Sequence, residues 1–280
     1  MPGPVKTEAI VLRSLRYGEA DRILRLYTLD RGHVGAIAKG VRRTLSRFGG
    51  RLEPFFRLRI ELHEGRGELA TVTGAQTLAG HPHLRGDVRA LDAAARACDA
   101  VGRLFDTSEP HPAVYHLLSR ALALLDEHAS ARGPAANGAG PGRSDGDGDG
   151  LGTGAGGRVG EGDAARSGVS GERARALAFR LKLLLAAGLA PELGACASCG
   201  EREHLVAFSG AAGGVVCEAC EAASLPLGAE AHRFMVGALA APLHEAPLAA
   251  EAALGQVDGA ISATLEHHAH VRLMPAVGRL

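Results

Sequence analysis

Four of the five cysteines form two CxxC pairs, and this pattern places the strongest local constraint on the fold. Cys196 and Cys199 make the first pair, Cys217 and Cys220 make the second, and 17 residues separate the pairs. Each pair can direct two thiolates at one metal ion at about 2.3 Å, and a short hairpin can return the second pair to complete a tetrahedron. The spacing predicts one structural zinc ion within a zinc module over residues 194–224.

Other uses of these cysteines fit the sequence less well. Two disulfides are disfavoured in a reducing cytosol, and thioredoxin-like chemistry needs only one CxxC pair. Four sulfur ligands would close the coordination sphere, so the pattern argues against a hydrolytic zinc enzyme. The fifth cysteine, Cys98, stands alone in a helical pattern and is predicted to be a small buried side chain.

The first 80 residues have the pattern of strands separated by turns. Five partly alternating apolar runs are AIVLRSLRYG, ADRILRLYTL, HVGAIAKG, FFRLRIELH and ELATVTGAQTL. Glycine-containing turn signals, DRG, FGG and EGRG, lie between several of them. Five short strands in this length predict a small antiparallel barrel, of which the five-stranded OB-fold is an economical form.

After residue 80 the apolar residues recur at helical spacing. Only 4% of the residues are aromatic, so Leu, Ala and Val must build the core, and Leu and Ala favour helices. The sequence predicts an α+β protein, with the barrel in residues 1–80 and a helical domain in residues 81–280 that contains the zinc module. The predicted helices are residues 84–105, 113–128, 171–189, 229–243 and 249–271.

The predicted helical domain is interrupted by a glycine-rich stretch. Residues 130–171 contain 15 glycines and almost no large apolar side chain, so burial cannot offset the entropy of ordering this backbone. We therefore expect a disordered insertion between two helices. A partial EF-hand pattern starting at Asp145 has Gly156 where the bidentate glutamate should stand, and it predicts no calcium site.

A net charge of zero conceals a basic N-terminal unit. Residues 1–80 carry 14 basic and 8 acidic side chains, and no acid occurs between Arg31 and Leu52. Guanidinium groups can engage two phosphate oxygens, so this stretch predicts contacts to a polyanion. The alternative is a solvated loop that binds nothing. The candidate phosphate-binding residues are Lys39, Arg42, Arg43, Arg47 and Arg51.

Two further observations limit the function classes. No stretch approaches the roughly 20 apolar residues of a membrane span, and the N-terminus lacks the apolar core of a signal peptide, so we expect a cytoplasmic protein without a membrane partner. Leu-rich helices with Arg120, Arg180 and Lys182 allow an alternative function. They could form a groove that is edged by cations and binds the acidic tails of partner proteins. The protein would then be an interaction adaptor that does not bind DNA directly.

Five segments of the sequence together resemble one protein family. The segments YGEADRILRLYTLDRGHVGAIAKGVRR, SRFGGRLEPF and GRGELATVTGAQ resemble the N-terminal domain of the bacterial RecO recombination mediators, and CASCG and CEAC resemble the zinc module of that family. The resemblance implies a non-enzymatic role in recombinational repair, near the nucleoid, for a chain that is monomeric alone.

The same resemblance implies the partners. Proteins of this family bind single- and double-stranded DNA and anneal complementary strands. They also contact RecR and the C-terminal tail of the single-strand-binding protein SSB, and they help load RecA indirectly. Matched to this chain, the basic motif gives Lys39, Arg42, Arg43 and Arg47 as phosphate contacts, and the four paired cysteines are the metal ligands.

Overall fold

The computed structural model describes residues 4–42, 46, 48, 50–65, 67–133 and 161–276, with the backbone alone described for residues 161–169. The N-terminal part is a closed five-stranded barrel with the strand order β1-β2-β3-β5-β4. Neighbouring strands are antiparallel except β3 and β5, which pair in parallel. This OB-like barrel confirms the predicted fold. The strands are β1 (Val5–Tyr17), β2 (Asp21–Thr28), β3 (Gly32–Ala38), β4 (Arg57–His63) and β5 (Ala70–Ala79).

Alternation along the strands fills the barrel interior. In β4, Leu58, Ile60 and Leu62 are 0–2% exposed, while the residues between them carry charges toward the outside. The segment after β3 adds Phe48 and Leu52, each 1% exposed, to the same core. Phe48 and Leu52 thus help to fill the interior of the barrel.

The C-terminal part is a bundle of helices that shares one apolar core rich in leucine and alanine. Asp87 caps the start of α2 because its carboxylate accepts hydrogen bonds from the backbone N–H groups of Arg89 and Ala90. Within the described residues, no helix is both long and apolar enough to cross a bilayer. The helices are α1 (Pro82–Gly86), α2 (Val88–Leu104), α3 (Pro112–Arg132), α4 (Glu161–Ala186), α5 (Ala229–Ala240) and α6 (Glu251–Thr264), followed by a π-helical turn at Leu265–Ala269.

Two helices are longer than the sequence pattern indicated. Helix α3 continues to Arg132 and α4 begins at Glu161, so both enter the stretch 130–171 that was expected to be disordered. Adding a residue to an existing helix fixes one residue per new hydrogen bond, which lets packed helices extend through weakly helical sequence. Residues 134–160 lie outside the described part, and their predicted disorder stays a prediction.

The barrel docks against the helices through its outer face. Ile10, Leu12 and Tyr27 point out of the barrel and belong to the helical core. The Tyr115 hydroxyl donates a hydrogen bond to Glu8 over 3.1 Å. At Gly32, with φ at +57°, an added Cβ would lie 2.1 Å from the backbone oxygen of Glu109. The backbones approach so closely that only glycine fits at this contact.

Candidate nucleic-acid interface and metal centre

The four paired cysteines converge on one point. Their sulfur atoms all lie within 4.8 Å of one another, and the Sγ atoms of Cys199 and Cys217 are 3.7 Å apart. A tetrahedral ion with metal–sulfur distances of about 2.3 Å requires sulfur–sulfur distances of about 3.8 Å. The thiol set therefore fits a single four-coordinate metal ion and leaves no ligand position open for water.

Short backbone hydrogen bonds place the two cysteine pairs. Around the first pair, the N–H of Gly200 donates to the carbonyl of Cys196 over 2.8 Å, with Gly200 at φ +82°. The second pair follows a hairpin of β6 (Leu205–Ser209) and β7 (Gly214–Cys217), and β8 (Leu225–Pro226) pairs with the other edge of β6. A glycine turn and a tight hairpin thus bring together Cys199 and Cys217, which are 18 positions apart.

The thiols influence one another's ionisation. A hydrogen bond from the backbone N–H of Cys217 lowers the pKa of Cys196 to about 6. The neighbouring thiols, first that of Cys199, raise the pKa of Cys220 to about 12. Four thiolates this close repel one another, so the group does not ionise fully by itself. A divalent cation would remove this repulsion, as expected for a metal-binding cluster.

The cysteine cluster is attached firmly to the helical core. Phe208 of β6 and Val215 of β7, each 1% exposed, pack into the core shared by the helices. At Gly210 an added Cβ would lie 2.7 Å from the backbone oxygen of Ala263. The cysteines therefore lie beside a small sheet that packs against α6. Their position is that of a structural metal site.

The predicted basic segment follows β3 at the end of the barrel. Lys39 and Arg42 are exposed, and neither forms an ion pair with another described residue. The Asp21 carboxylate accepts a hydrogen bond from the N–H of Gly40 over 2.8 Å, and the N–H of Arg42 donates to Ala20 over 3.0 Å. Two hydrogen bonds to the β1–β2 turn thus fix the first part of the segment with its cations directed to solvent.

The structure describes only one of the other three predicted phosphate contacts. Arg51 is exposed, next to the buried anchor Leu52. Arg43 and Arg47 lie outside the described residues, so their assignment stays a prediction. Hydrogen bonds to Asp21 and Ala20 hold the start of the segment, the buried Leu52 holds its end, and its described cations are exposed.

The structure also reveals a cationic surface that the sequence pattern did not single out. Arg13 of β1 and Arg25 of β2 are exposed and pair directly across the two strands. On the same outer face, Leu15 is 43% exposed and pairs with Ile23, and Tyr17 is 53% exposed. Apolar and aromatic side chains flanked by cations are typical of surfaces that bind single strands.

The sequence contains the cations of this surface, but it does not show the register in which β1 and β2 pair. Arg13 and Arg25 occur twelve positions apart in separate strands, and only antiparallel pairing makes them neighbours. Alternation with the buried Leu24 and Leu26 places Arg25 on the outer face, but alternation with the buried Ala9 and Val11 would place Arg13 inside the barrel. The bulge between Val11 and Arg13 in β1 shifts the pairing by one residue and places Arg13 on the outer face. The register, and with it the arginine pair, follows from the folded sheet.

The helical domain contains an apolar cleft edged by cations. Its volume is about 300 Å³, and it lies between α2, α3 and α4. Leu124, Leu125 and Phe179 are among its apolar lining residues, and Arg89 and Arg175 lie on its edge without an ion pair in the described chain. Burial, and then the nearby charge of Arg132, lower the pKa of Arg175. The cleft can bind a ligand that has an apolar part and a negatively charged group.

The three cations proposed for such a groove do not act together. Arg180 lines the cleft, but it is 5% exposed and bound to Asp258. Lys182 donates to the carbonyl of Leu239, and Arg120 pairs with Glu127 on the surface. The predicted groove formed by these three cations is not seen, and Arg89 and Arg175 are the cations of the cleft that have no ion pair among the described residues.

Comparison with known proteins agrees with both halves of the fold. The chain matches the family models "Recombination protein O N terminal" over residues 1–81 and "Recombination protein O C terminal" over residues 166–274. It is 34% identical over 279 residues to the DNA repair protein RecO of Anaeromyxobacter dehalogenans strain 2CP-C, covering 96% of this chain and 93% of that protein.

Similarity extends to relatives from other bacteria. The chain is 35% identical to the DNA repair protein RecO of Rubrobacter xylanophilus over 223 residues, covering 79% of this chain and 73% of the relative. It is 32% identical to the DNA repair protein RecO of Geobacter sulfurreducens over 268 residues, covering 94% and 93%. The similarity spans the barrel and the helical domain in the same chain.

Proposed function

The chain belongs to the RecO family of DNA repair proteins, and from this premise we propose that it is a DNA-binding mediator of recombinational repair that catalyses no reaction. It binds single- and double-stranded DNA and anneals complementary strands. With RecR it helps load RecA on DNA covered by SSB. It acts in the cytoplasm, at the nucleoid, and is monomeric when alone.

One observation carries this proposal: the barrel exposes cations that its own carboxylates do not neutralise. Lys39 and Arg42 at the barrel end, and Arg13 and Arg25 on the outer face, form no ion pair within the described residues. Exposed cations without an ion-pair partner attract a polyanion electrostatically, and contact with them releases counterions from the polyanion. The predicted contacts Arg43, Arg47 and Arg51 would extend this surface.

Annealing requires charge neutralisation rather than chemistry. Two complementary strands repel each other through their phosphates, and a cationic surface that screens those phosphates allows the bases to pair. The exposed Tyr17 and Leu15 offer a surface on which unpaired bases can stack until they meet their complement. No nucleophile or general acid is needed for either step.

The metal ion that fits the four cysteines is zinc. Thiolate ligands in a tetrahedral set select zinc among the common divalent ions, and the closed set gives the ion a structural task. Cys196, Cys199, Cys217 and Cys220 hold it, and zinc stabilises the hairpin that supports α6.

The cleft between α2, α3 and α4 supports the partner assignment. An acidic peptide tail with an apolar end matches its apolar lining and the free charges of Arg89 and Arg175. We assign this cleft to the C-terminal tail of SSB. The same cleft supports the second candidate function, an adaptor that grips acidic tails without binding DNA itself.

A salt series tests the proposal. The full-length protein and its Arg42→Ala/Arg43→Ala/Arg47→Ala variant are titrated against a fluorescent single strand at several salt concentrations. Each lost phosphate contact flattens the slope of log K against log salt by about 0.7 for single strands, so we expect a decrease of about 2. The matched control, Arg120→Ala/Arg202→Ala/Arg233→Ala, loses the same charge on the helical domain and should keep the slope.

Two results would favour the adaptor instead. The first is weak DNA binding by the wild type with no salt dependence. The second is a folded loop variant that binds as the wild type does. Circular dichroism of each variant confirms that a change in affinity does not arise from unfolding.

A further inference from the structure

A second cavity lies where the barrel meets the helical domain. Its volume is about 400 Å³, in the range of small-molecule sites, and it opens between the outer face of β1 and β2 and helix α2. It is separate from the cleft described above. Four of its lining residues carry or can carry positive charge: Arg13, Arg25, His33 and Arg103.

The charges at this cavity are not balanced. Arg103 is engaged by Asp99 over 2.8 Å, but Arg13 and Arg25 face each other across the strands with no ion-pair partner in the described chain. Like charges directly opposite in a sheet destabilise it. An anion bound between the two arginines would remove this repulsion.

A buried polar atom at the same place lacks a partner. His33 Nε2 is buried and makes no hydrogen bond to any described atom. Desolvation, and then the charge of Arg25, lower the pKa of His33, so its ring is neutral at pH 7 and can donate or accept one hydrogen bond. A ligand in the cavity would supply the missing partner.

The rest of the wall includes Ser14 and Asp99 but is mainly apolar, and part of it is fixed in place. Leu12, Phe55 and Met274 line it, and Phe55 holds φ at +72°, a strained conformation for a residue with a side chain. Arg96 donates to the carbonyl of Pro275 over 2.9 Å, and the buried Arg180 donates to the carbonyl of Met274. The segment that carries Met274 is thus fixed against α2 and α4.

We propose that this cavity receives one nucleotide of a DNA single strand, with its phosphate between Arg13 and Arg25 and its base against the apolar wall. A phosphate alone would fill a small part of the volume and leave Phe55 and Met274 without a contact. A duplex cannot supply the group, because its bases are paired and stacked inside the helix. The assignment rests on the proposed function and gives it a place where single strands differ from duplexes.

The test closes the cavity without changing its charge. Ala95 is an exposed residue of α2 at the cavity wall, so Ala95→Phe introduces a ring at the mouth and leaves the arginines intact. Ala252→Phe, at an exposed position of α6, is the matched control. Each protein is titrated with three labelled probes of equal length: oligo-dT, an abasic oligonucleotide that keeps all phosphates, and a duplex.

A specific pattern is expected. Ala95→Phe should weaken oligo-dT binding about five- to tenfold, the loss of one stacked base, and leave the abasic and duplex probes unchanged. Arg25→Ala should weaken oligo-dT and the abasic strand alike, since both present a phosphate. Ala252→Phe should match the wild type with every probe.

Other patterns would overturn the assignment. Unchanged oligo-dT binding by Ala95→Phe means that no base enters the cavity, and the proposed function stands if the wild type keeps its steep salt slope. Equal losses with the abasic strand mean that only phosphate binds there. An acidic peptide that displaces oligo-dT from the wild type, but not from Ala95→Phe, would assign the cavity to a protein partner. Absence of DNA binding by the wild type would remove both proposals.

Discussion

Two pairs of arginines, one in the helical domain and one on the outer face of the barrel, are used in opposite ways. In the helical domain, Arg173 and Arg180 both reach Asp258, and Arg180 is only 5% exposed. In the barrel, Arg13 and Arg25 face each other at the surface, and neither forms an ion pair with another described residue. Paired arginines hold helices together, whereas unpaired arginines leave charge available for a ligand. The position of the carboxylates, more than the number of cations, separates structural from functional charge.

The four cysteines are the strongest test of how the helical domain is held together. If the cluster holds zinc as proposed, Cys217→Ser should release the ion and lower the free energy of unfolding by about 5 kcal/mol. This is less than the 10–16 kcal/mol of isolated zinc fingers, because Phe208 and Val215 keep part of the module packed. Zinc content by mass spectrometry and denaturant unfolding measure both effects.

The matched control is Cys98→Ala. Cys98 is a buried cysteine far from the cluster in sequence, and burial raises its pKa, so its loss should leave one zinc per chain. If Cys217→Ser retained zinc and stability, the cluster would not be a structural metal site.

The buried arginine network should give the next largest effect. Asp258→Ala leaves Arg180 buried without its carboxylate, and breaking such a pair costs about 3–5 kcal/mol. Glu127→Ala removes the partner of the exposed Arg120 and should cost less than about 1 kcal/mol. Chemical denaturation of both variants measures the difference. Equal small effects would contradict the structural use of arginines in this domain.

On the barrel, loss of an aromatic surface should reduce binding rather than stability. Tyr17 is 53% exposed, so Tyr17→Ala should hardly change the unfolding transition. It should weaken single-strand binding by about fivefold, near 1 kcal/mol for one stacked base. Fluorescence anisotropy measures the affinity. Tyr17→Phe keeps the ring and should bind as the wild type does; a loss there would point to the hydroxyl instead.

The smallest effect is expected for Arg25→Thr, which should raise the stability of the fold and weaken DNA binding. Arg25→Thr removes a like-charged neighbour of Arg13 and places a good strand former at an exposed position, so the fold should gain a few tenths of a kcal/mol at low salt. The gain should shrink at 1 M salt, where the Debye length is about 3 Å. Low-salt and high-salt denaturation curves measure it.

Arg22→Thr is the counterpart on the same strand. Arg22 pairs with Glu53 over 2.9 Å, so its replacement should destabilise the barrel. A destabilised Arg25→Thr variant would show that Arg25 serves the fold and would break the comparison between the two regions.

The sequence predicted the fold well where a pattern repeats. Alternation located all five barrel strands, and helical spacing located the principal helices, because each buried face requires a fixed period. It was less successful for the C-terminal end of α3 and the N-terminal end of α4. There the glycine content predicts disorder, but each helix extends beyond the part that the apolar pattern indicates. Helix ends depend on neighbouring packing as much as on local composition.

The candidate sites divide in the same way. The CxxC spacing alone predicted that four cysteine side chains meet in a cluster that could hold a metal ion, since residues close in sequence need only a turn and a hairpin to meet. The sequence also identified Lys39 and Arg42 as exposed cations. It could not identify which helix cations remain free, since Arg180 and Arg120 have the same charge but differ entirely in burial and partners.

The sequence by itself determined the barrel, the helices, the cysteine cluster and the excess of positive charge in the first 80 residues, because these depend on local periods, spacings and composition. Only the tertiary structure decided that Arg13 faces Arg25 and that Met274 completes the cavity beside them. The first depends on strand register and the second on a contact between distant parts of the chain. Neither is encoded in a local pattern, because packing of the whole chain selects both.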